Sequence, residues 1–241
     1  MIKLEHEHTE QAIKERLAED HQPHYLRDWV YGGIDGAITT FAIVAGVVGA
    51  GLSAKIIIIL GLANLIADGF SMAASAYSGT KTEADELERF RQIEKEHIAQ
   101  VPDGEREEVR QILAAKGLSG KALGDAVAAI TSNEETWINT MLVEEYNLSI
   151  NLRSPLKSGL STFAAFFICG AIPLLPFLLA ADQALEIALF TTGIAFFTIG
   201  AVKSKWSLAA WWKSGVETLF IGLVASAMAF AIGHFVKQLV G

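Results

Sequence analysis

Residues 31–53 read YGGIDGAITTFAIVAGVVGAGLS, and residues 55–78 read KIIIILGLANLIADGFSMAASAYS. Each stretch is long enough and apolar enough to cross a bilayer as a helix, which takes about 20 residues. The first carries Asp35 and the second carries Asp68. A carboxylate is tolerated at membrane depth where it faces a bundle interior or a water-filled path. Both acids are therefore candidates for a functional site.

The rest of the chain alternates between apolar and charged segments. Hydrophobic residues make up 51% of the sequence and charged residues 19%. The charge is concentrated in a polar tail, residues 1–27, and in residues 79–155, which form a second charged segment. Between and after these segments the pattern predicts an all-α protein with five membrane spans. The spans are expected at roughly 31–53, 55–78, 157–180, 184–202 and 214–237.

Basic residues predict the orientation of the spans, because lysine and arginine are retained on the cytoplasmic side of short loops. Of the nineteen lysines and arginines, only Lys55 and Lys237 fall on the side opposite to the tail and the charged middle segment. The tail and the middle segment are thus predicted to be cytoplasmic, and the C-terminus to lie outside the cell or in an organelle lumen. The tail lacks the apolar core of a cleaved signal, so the first span is expected to direct insertion.

Two further features exclude some classes of function. Cys169 is the sole cysteine and lies in the third predicted span, which excludes an intramolecular disulfide and a cysteine-based zinc site. The net charge of −8 argues against a nucleic-acid partner, which would select a basic surface. Cations are the expected ligands. No prosthetic group and no enzymatic activity are expected.

Polar side chains on the second span recur at helical spacing. The residues that share this face are Asn64, Asp68, Met72 and Ser75. On the first span, Thr39 follows Asp35 by one turn. Counted from the turn at residues 51–53, Asp35 lies about 25 Å and Met72 about 27 Å along their helices, so they are level. Hard oxygens beside a soft thioether suit a transition metal. The alternative is that Asp35 makes a buried hydrogen bond at the membrane edge while Met72 only packs.

The charged middle segment begins as a continuation of the second span, with no glycine or proline between residue 80 and Pro102. Acidic and imidazole groups share one face of this helix: Glu83, Glu86, Glu94 and His97. The first pair lies about 16 Å from the second, too far for one ion to touch both. Either two subsites exist or another helix completes them.

A later helix of the segment offers the missing ligands. Its start is predicted by the capping box Ser132-x-x-Glu135. It carries side chains suited to metal at helical spacing: Met141, Glu144 and Glu145. The alternative for the whole segment is a solvated acidic face neutralised by neighbouring arginines and lysines, which is the usual meaning of a mixed charge run.

Four stretches together resemble the vacuolar iron transporter family, over nearly the whole chain from about residue 25 to residue 241. They are Tyr31-Gly-Gly-Ile-Asp-Gly-Ala-Ile-Thr-Thr-Phe-Ala42, Ala67-Asp-Gly-Phe-Ser-Met-Ala-Ala74, the acidic helical insertion, and Gly170-Ala-Ile-Pro-Leu-Leu-Pro176. The resemblance implies a five-span transmembrane bundle that forms a homodimer with the pathway between subunits. It also implies a cytoplasmic three-helix insertion that binds metal, and proton-coupled export of Fe(II) or Mn(II) from the cytosol.

The resemblance also assigns roles to residues. The pathway aspartate and methionine of the family correspond to Asp35 and Met72, with Asp68, Asn64 and Thr39 beside them on the polar faces. The cytoplasmic glutamates of the family correspond to Glu83, Glu86, Glu94 and Glu144. The chain departs from the family pattern where it has His97 in place of a glutamate and Thr140-Met141 in place of two methionines. These changes leave Co(II) and Zn(II) open as further ions.

The resulting domain scheme has four parts. Residues 1–27 form a cytoplasmic tail, residues 28–78 spans one and two, residues 79–155 the cytoplasmic metal-binding domain, and residues 156–241 spans three to five. The membrane is the cell inner membrane if the source is bacterial and a vacuolar or other internal membrane if it is eukaryotic. The roles of Glu217 and His234 in the fifth span stay open.

Two other functions fit part of the sequence. One is a metal-responsive sensor or scaffold, in which the acidic domain binds ions but nothing crosses the bilayer. The other is a ferritin-like di-iron store or oxidase on a membrane anchor, because Glu94-Lys-Glu-His97 matches the Glu-x-x-His motif of di-iron bundles. Such bundles use two copies of the motif, and one copy is present. The histidines of the tail, His6, His8, His21 and His24, are expected to be solvated.

Overall fold

The computed structural model describes residues 7–18 and 24–240, and every regular element in that part of the chain is helical. The all-α prediction is therefore confirmed. In chain order the helices are α1 Glu10–Ala18, α2 Leu26–Gly49, α3 Ala54–Gln100, α4 Pro102–Ala115, α5 Gly120–Thr131, α6 Glu134–Glu144, α7 Pro155–Ala171, α8 Leu175–Leu178, α9 Ala184–Lys203 and α10 Trp211–Val240. His6 and His21 lie outside the described residues.

Within residues 7–18 and 24–240, five stretches of helix are long enough and apolar enough to cross a membrane, as predicted, and the protein is an integral membrane protein. They comprise α2, α3, α7 with α8, α9 and α10. The first begins at Leu26, earlier than the prediction of residue 31, because Asp28 and Arg27 are accommodated within its first turn. The others agree with the predicted spans to within a few residues.

Helix α3 runs unbroken for 47 residues, from the turn after α2 to Gln100. Its first half is apolar and its second half is charged, so a single helix of about 70 Å joins the membrane region to the acidic insertion. The predicted continuity up to Pro102 is confirmed. A rigid connection of this kind fixes the distance between residues of the two regions.

The third span is interrupted at its prolines, as expected for residues that lack a backbone donor. The α-helix ends at Ala171, a 3₁₀ turn covers Ile172–Leu174, and α8 continues to Leu178. The tighter turn contains Pro173, and Pro176 lies in the short helix that follows. Pro173 and Pro176 thus divide the third span into α7, the 3₁₀ turn and α8.

Close packing of α2 against α7 forms the centre of the membrane region. A Cβ atom added to Gly36 would lie 2.3 Å from the carbonyl oxygen of Phe166, and one added to Gly32 would lie 2.4 Å from that of Thr162. Only glycine permits backbones to approach so closely. Beside this contact, Phe41, Val44, Leu65, Phe166 and Leu174 form a buried apolar cluster that joins α2, α3 and α7.

The insertion consists of the end of α3 followed by α4, α5 and α6. It has one helix more than expected, since Gly120–Thr131 forms α5. The predicted capping box is wrong: Ser132 ends α5, and its hydroxyl donates to the carbonyl of Ala129 at 2.7 Å. Asn133 caps α6 instead and accepts from the Thr136 amide at 2.9 Å. Asparagine caps a helix as well as serine does, and it stands next to the first helical residue.

Candidate metal pathway and capture cluster

Asp35 and Met72, from adjacent helices, line the same cavity in the membrane region. This cavity, here called the span cavity, has a volume of about 700 Å³. Its walls come from the start of α2, from Met72 of α3 and from Lys203, Trp206 and Ser207 at the end of α9. The structure thus brings a carboxylate and a thioether to one space. Asp35 and Met72 are each partly buried, so both are reachable from that space.

A second, smaller cavity shares Met72 and extends towards the insertion. This mouth cavity has a volume of about 280 Å³ and is lined by residues of α2, α3 and α7 and of the segment before α7. Polar groups on its walls include Asp28, Ser75, Glu83, Arg153 and Thr162. Met72 therefore lies between the two cavities, and Glu83 lies at the end nearer the insertion.

The amide of Asn64 is held by hydroxyl groups of α2. Its Nδ2 donates to Thr39 Oγ1 and to Thr40 Oγ1, both at 3.2 Å. Thr39 in turn donates to the carbonyl oxygen of Asp35 at 2.9 Å. Asn64 and Thr39 thus connect α3 to α2 one turn from the Asp35 backbone. In this arrangement both residues orient the pathway helices.

Asp68 lies on the exposed side of α3, one turn from Met72. It is close enough to Asp35 for the two carboxylates to interact electrostatically. Its neighbours Phe70 and Ile66 are also exposed, 68% and 58% respectively. A carboxylate is thus presented on an otherwise apolar outer surface of the single chain.

Asp28 is a buried acid of the mouth cavity that the sequence did not reveal. It accepts from Arg153 Nη1 and from the hydroxyl of Ser158, the latter at 2.8 Å, and Ser158 accepts from Thr80 at 3.2 Å. These contacts join α2, α3, α7 and the segment that leaves the insertion. An acid at the start of the first span and an arginine just before the third span are the signal that could have suggested the pair.

The insertion brings three ligand groups together at the junction of α3 and α4. Oxygen or nitrogen atoms of Glu94, His97 and Glu105 all lie within 4.8 Å of one another. His97 Nδ1 is 3.8 Å from Glu94 Oε1 and 3.4 Å from Glu105 Oε1. We call these three residues the capture cluster. Both carboxylates are buried, whereas the imidazole is half-exposed and opens the cluster to solvent.

Two oxygens of the capture cluster have no hydrogen-bond partner among the described residues. They are Oε2 of Glu94 and Oε2 of Glu105, and both are buried. A buried carboxylate oxygen without a partner is costly unless a cation compensates it. Two carboxylates and an imidazole form a donor set that suits divalent transition metals. The cluster is therefore a candidate site for a divalent cation.

Other side chains tune the cluster. Tyr146 donates from its hydroxyl to Glu94 Oε1 at 2.9 Å, and its ring packs on Phe90 with 4.4 Å between ring centroids. Burial, followed by repulsion from Glu94, raises the pKa of Glu105 to about 7. The same two causes raise the pKa of Glu145. Burial and the bond to Glu94 raise the pKa of Tyr146.

The structure separates the other predicted ligands of the insertion from this cluster. Glu144 pairs with Lys116, and Met141 is fully buried in an apolar group with Val109 and Trp137. Glu83 and Glu86 are exposed on α3, and Glu83 lines the mouth cavity. The prediction that another helix completes the Glu94–His97 pair stays a prediction; the structure places Glu105 of α4 beside that pair.

Sequence reasoning missed Glu105 although a signal was present. A single residue, Val101, separates α3 from α4, and Pro102 begins the new helix. So short a connection folds the first turn of α4 back on the last turn of α3, which carries His97. Two acids lie in that first turn: Glu105 faces the imidazole, whereas Asp103 is exposed and pairs with Arg106.

The remaining titratable groups of the spans lie at their ends. Glu217 is 4.0 Å from Lys203 Nζ, and His234 Nε2 is 3.0 Å from Gln238 Nε2. His24 lines the span cavity, next to Arg27. None of these groups reaches the capture cluster, which lies at the far end of α3.

Comparisons with known proteins agree with this arrangement of a membrane bundle and an acidic insertion. The chain is 33% identical to vacuolar iron transporter 1 of Arabidopsis thaliana over 218 residues, 88% of this chain and 86% of the relative. It is 31% identical to vacuolar iron transporter 1 of Eucalyptus grandis over 236 residues, 93% and 94% of the two chains. A vacuolar iron transporter of Toxoplasma gondii is 31% identical over 229 residues, 90% and 76% of the two chains. The model of the VIT family matches residues 26–234, and the chain belongs to that family.

Proposed function

We propose that this protein carries Fe(II) or Mn(II) across a membrane, out of the cytosol, in exchange for protons. The capture cluster collects the ion, and Asp35 and Met72 pass it through the bilayer. The names of the relatives, which are iron transporters, support iron as a cargo. The mixed oxygen, nitrogen and sulfur donors favour a transition metal over Mg²⁺ or Ca²⁺, which prefer oxygen alone.

One observation carries the proposal: a single unbroken helix, α3, bears two residues of the capture cluster, Glu94 and His97, at one end and Met72 near its middle. Between them Glu83 lines the mouth cavity, which also contains Met72. Ligand groups thus follow one another from the insertion to the membrane region. A sensor needs the capture cluster but has no use for a carboxylate and a thioether at membrane depth.

The carrier acts as a homodimer in this proposal. Asp68 is exposed on the apolar surface of the single chain, where lipid would leave its charge uncompensated. A second copy packed along α3 would cover Asp68 and place two Asp35–Met72 pairs opposite each other. Four ligands would then surround an ion that has lost part of its water. The exposed position of Asp68 therefore supports a pathway at the subunit interface.

Protons would return through the same carboxylates. A carboxylate that holds a metal ion has lost its proton, so loading a proton and releasing the metal are competing states of one group. The pathway contains two such groups close together, Asp35 and Asp68. Proton entry from the far side would release the metal there. With the basic residues on the cytoplasmic side, the insertion faces the cytosol and the metal leaves it.

The test is metal flux into liposomes that contain the purified protein, with Fe(II) and Mn(II) measured with and without a pH gradient. Asp35→Asn is expected to abolish flux, and Glu94→Ala combined with His97→Ala to weaken it. Glu88→Gln, on the exposed side of α3, is the matched control and should leave flux unchanged. Two results would contradict the proposed pathway: loss of flux in every variant including the control, or unchanged flux in Asp35→Asn. Metal binding without any flux supports the sensor instead.

A further inference from the structure

The connection between α9 and α10, together with the first turn of α10, displays large exposed apolar side chains. We define the tryptophan loop as residues 203–213, which read KSKWSLAAWWK. Leu208 is fully exposed, and Trp206, Trp211 and Trp212 are each at least half exposed. Exposed apolar groups clustered in this way mark a surface that contacts a partner or a membrane. Because the loop joins two membrane spans, it lies at the bilayer surface.

The loop is held in shape by its own hydrogen bonds. Ser204 donates from Oγ to the carbonyl of Ala201 at 2.7 Å, and the Ser207 amide donates to the carbonyl of Ser204 at 3.0 Å. The Ala209 amide donates to Ser207 Oγ at 3.2 Å. The ring of Trp211 meets Phe197 of α9 edge to face, with 5.9 Å between ring centroids. The indoles are thus presented by a fixed backbone.

The charge of this loop has one sign. Lys203, Lys205 and Lys213 belong to it, and the sequence contains no acidic residue between Glu186 and Glu217. Lys203 faces Glu217 at 4.0 Å, while Lys213 lies over the ring of Trp212 at 5.5 Å from its centroid. Within the described part of the chain, neither Lys205 nor Lys213 pairs with a carboxylate. Two positive charges therefore stand beside the exposed indoles without a counter-charge.

We propose that the tryptophan loop is a binding surface for anionic phospholipids. Indole rings settle at the level of lipid headgroups, and lysines beside them attract acidic headgroups. Each lysine near a charged bilayer surface contributes roughly fivefold to the preference. The orientation in the proposed function places the loop at the cytoplasmic leaflet. The preference of the loop for anionic lipid does not depend on that orientation. Lys203, Trp206 and Ser207 also line the span cavity, so the bound headgroups gather at its rim.

The test measures which lipid surrounds the loop. The full-length chain carrying Trp29→Phe is reconstituted in phosphatidylcholine mixed in equal parts with phosphatidylglycerol, with either one lipid or the other brominated. Bromine quenches nearby indoles, and Trp137 is buried in the insertion, away from the bilayer. The loop tryptophans then report the local composition. The comparison variant is Lys205→Gln combined with Lys213→Gln, and the matched control is Lys55→Gln combined with Lys237→Gln at the opposite ends of the spans.

Stronger quenching by brominated phosphatidylglycerol, lost in the Lys205/Lys213 variant and kept in the control, is the expected result. Near 1 M salt the preference should shrink, because the screening length falls to about 3 Å. Equal quenching by the two lipids, or a preference that survives the loss of both lysines, overturns the proposal. The readout requires no transport, so its failure is distinct from a failure of the flux experiment.

Discussion

Arg153 donates through Nη1 to both carboxylate oxygens of Asp28, at 2.9 and 3.0 Å. The two residues are 125 positions apart, and the pair fastens the segment that leaves the insertion to the first turn of α2. Asp28 is buried and Arg153 is largely so. The insertion is thus attached to the membrane region twice, through α3 and through this ion pair.

Asp28→Asn is expected to destabilise the protein strongly. Removing one partner of a buried ion pair leaves the other charge uncompensated, at a cost of about 3–5 kcal/mol. Thermal unfolding of the purified protein in detergent measures the change. Asp85→Asn provides the control, since Asp85 also pairs with a basic residue, Lys81 at 2.8 Å, but on the surface. An equal loss in both variants would show that burial of the Asp28 pair is unimportant.

Gly36→Ala is expected to prevent correct packing of the first and third spans. The new methyl group would lie 2.3 Å from the carbonyl oxygen of Phe166, and backbone atoms cannot move aside as a flexible side chain can. Overpacking of this kind costs about 1–3 kcal/mol or more. Gly46→Ala lies on the same helix, and its methyl group would meet its nearest neighbour at an ordinary 3.5 Å. Equal yields of folded protein for the two variants, by size-exclusion chromatography, would contradict the packing argument.

Two neighbouring glutamates should differ in their effect on metal binding. Glu145→Gln is expected to weaken the binding of Mn(II) to the insertion, because this carboxylate interacts with Glu94 and His97. Glu144→Gln should leave it unchanged, because that carboxylate pairs with Lys116. Calorimetric titration of the full-length protein with Mn(II) compares the two. The reverse order of effects would favour Glu144, the ligand that the resemblance assigned, over Glu145.

Tyr146→Phe tests the support given to Glu94. The change removes one hydrogen bond and keeps the ring that packs on Phe90. Losing a group that orients a ligand costs about 10–100-fold in metal affinity. Tyr77→Phe, on the exposed surface of α3, is the control and should leave affinity unchanged. Wild-type affinity in Tyr146→Phe would mean that Glu94 is positioned by packing alone.

Metal binding by the capture cluster should weaken as the solution becomes acidic. Burial raises the pKa of Glu105 to about 7, so below that pH an incoming ion must displace a proton. Without metal, stability changes in the opposite direction. Ionisation of the buried Glu105 carboxyl destabilises the folded protein, so the free energy of unfolding falls as the pH rises from about 4.5 to about 7. Titrations across this range measure the affinity. Glu105→Gln should flatten the dependence, and an unchanged slope would assign it to another group.

The regular features of this fold were predictable because their causes are local. Span length, the unbroken α3 and the prolines of the third span follow from runs of apolar residues and from proline chemistry. The same reasoning identified Glu94 and His97, which are neighbours on one helix. Whether Asp35 and Met72 carry metal stays a prediction, although the structure places both in one cavity.

Features that depend on how helices meet were not predictable in the same way. Glu105 reaches His97 only because α4 folds back after a single residue, and Asp28 meets Arg153 across 125 positions. Glu144 and Glu145 differ by one position, and one position is a rotation of about 100° on a helix. A pattern therefore finds the helix but does not decide between adjacent acids on it. Helix α5 was not predicted, because it is not a membrane span and carries none of the predicted ligands.

The unbroken α3 has a consequence for how an ion travels. Twenty-two positions separate Met72 from Glu94, which is about 33 Å along a helix. No side chain bridges that length, and the helix contains no hinge that would shorten it. An ion that leaves the capture cluster must therefore be released and travel past Glu83 of the mouth cavity before it meets Met72. Filling of the cluster and occupation of the pathway become two separate equilibria, and flux measured against ion concentration should rise in two phases.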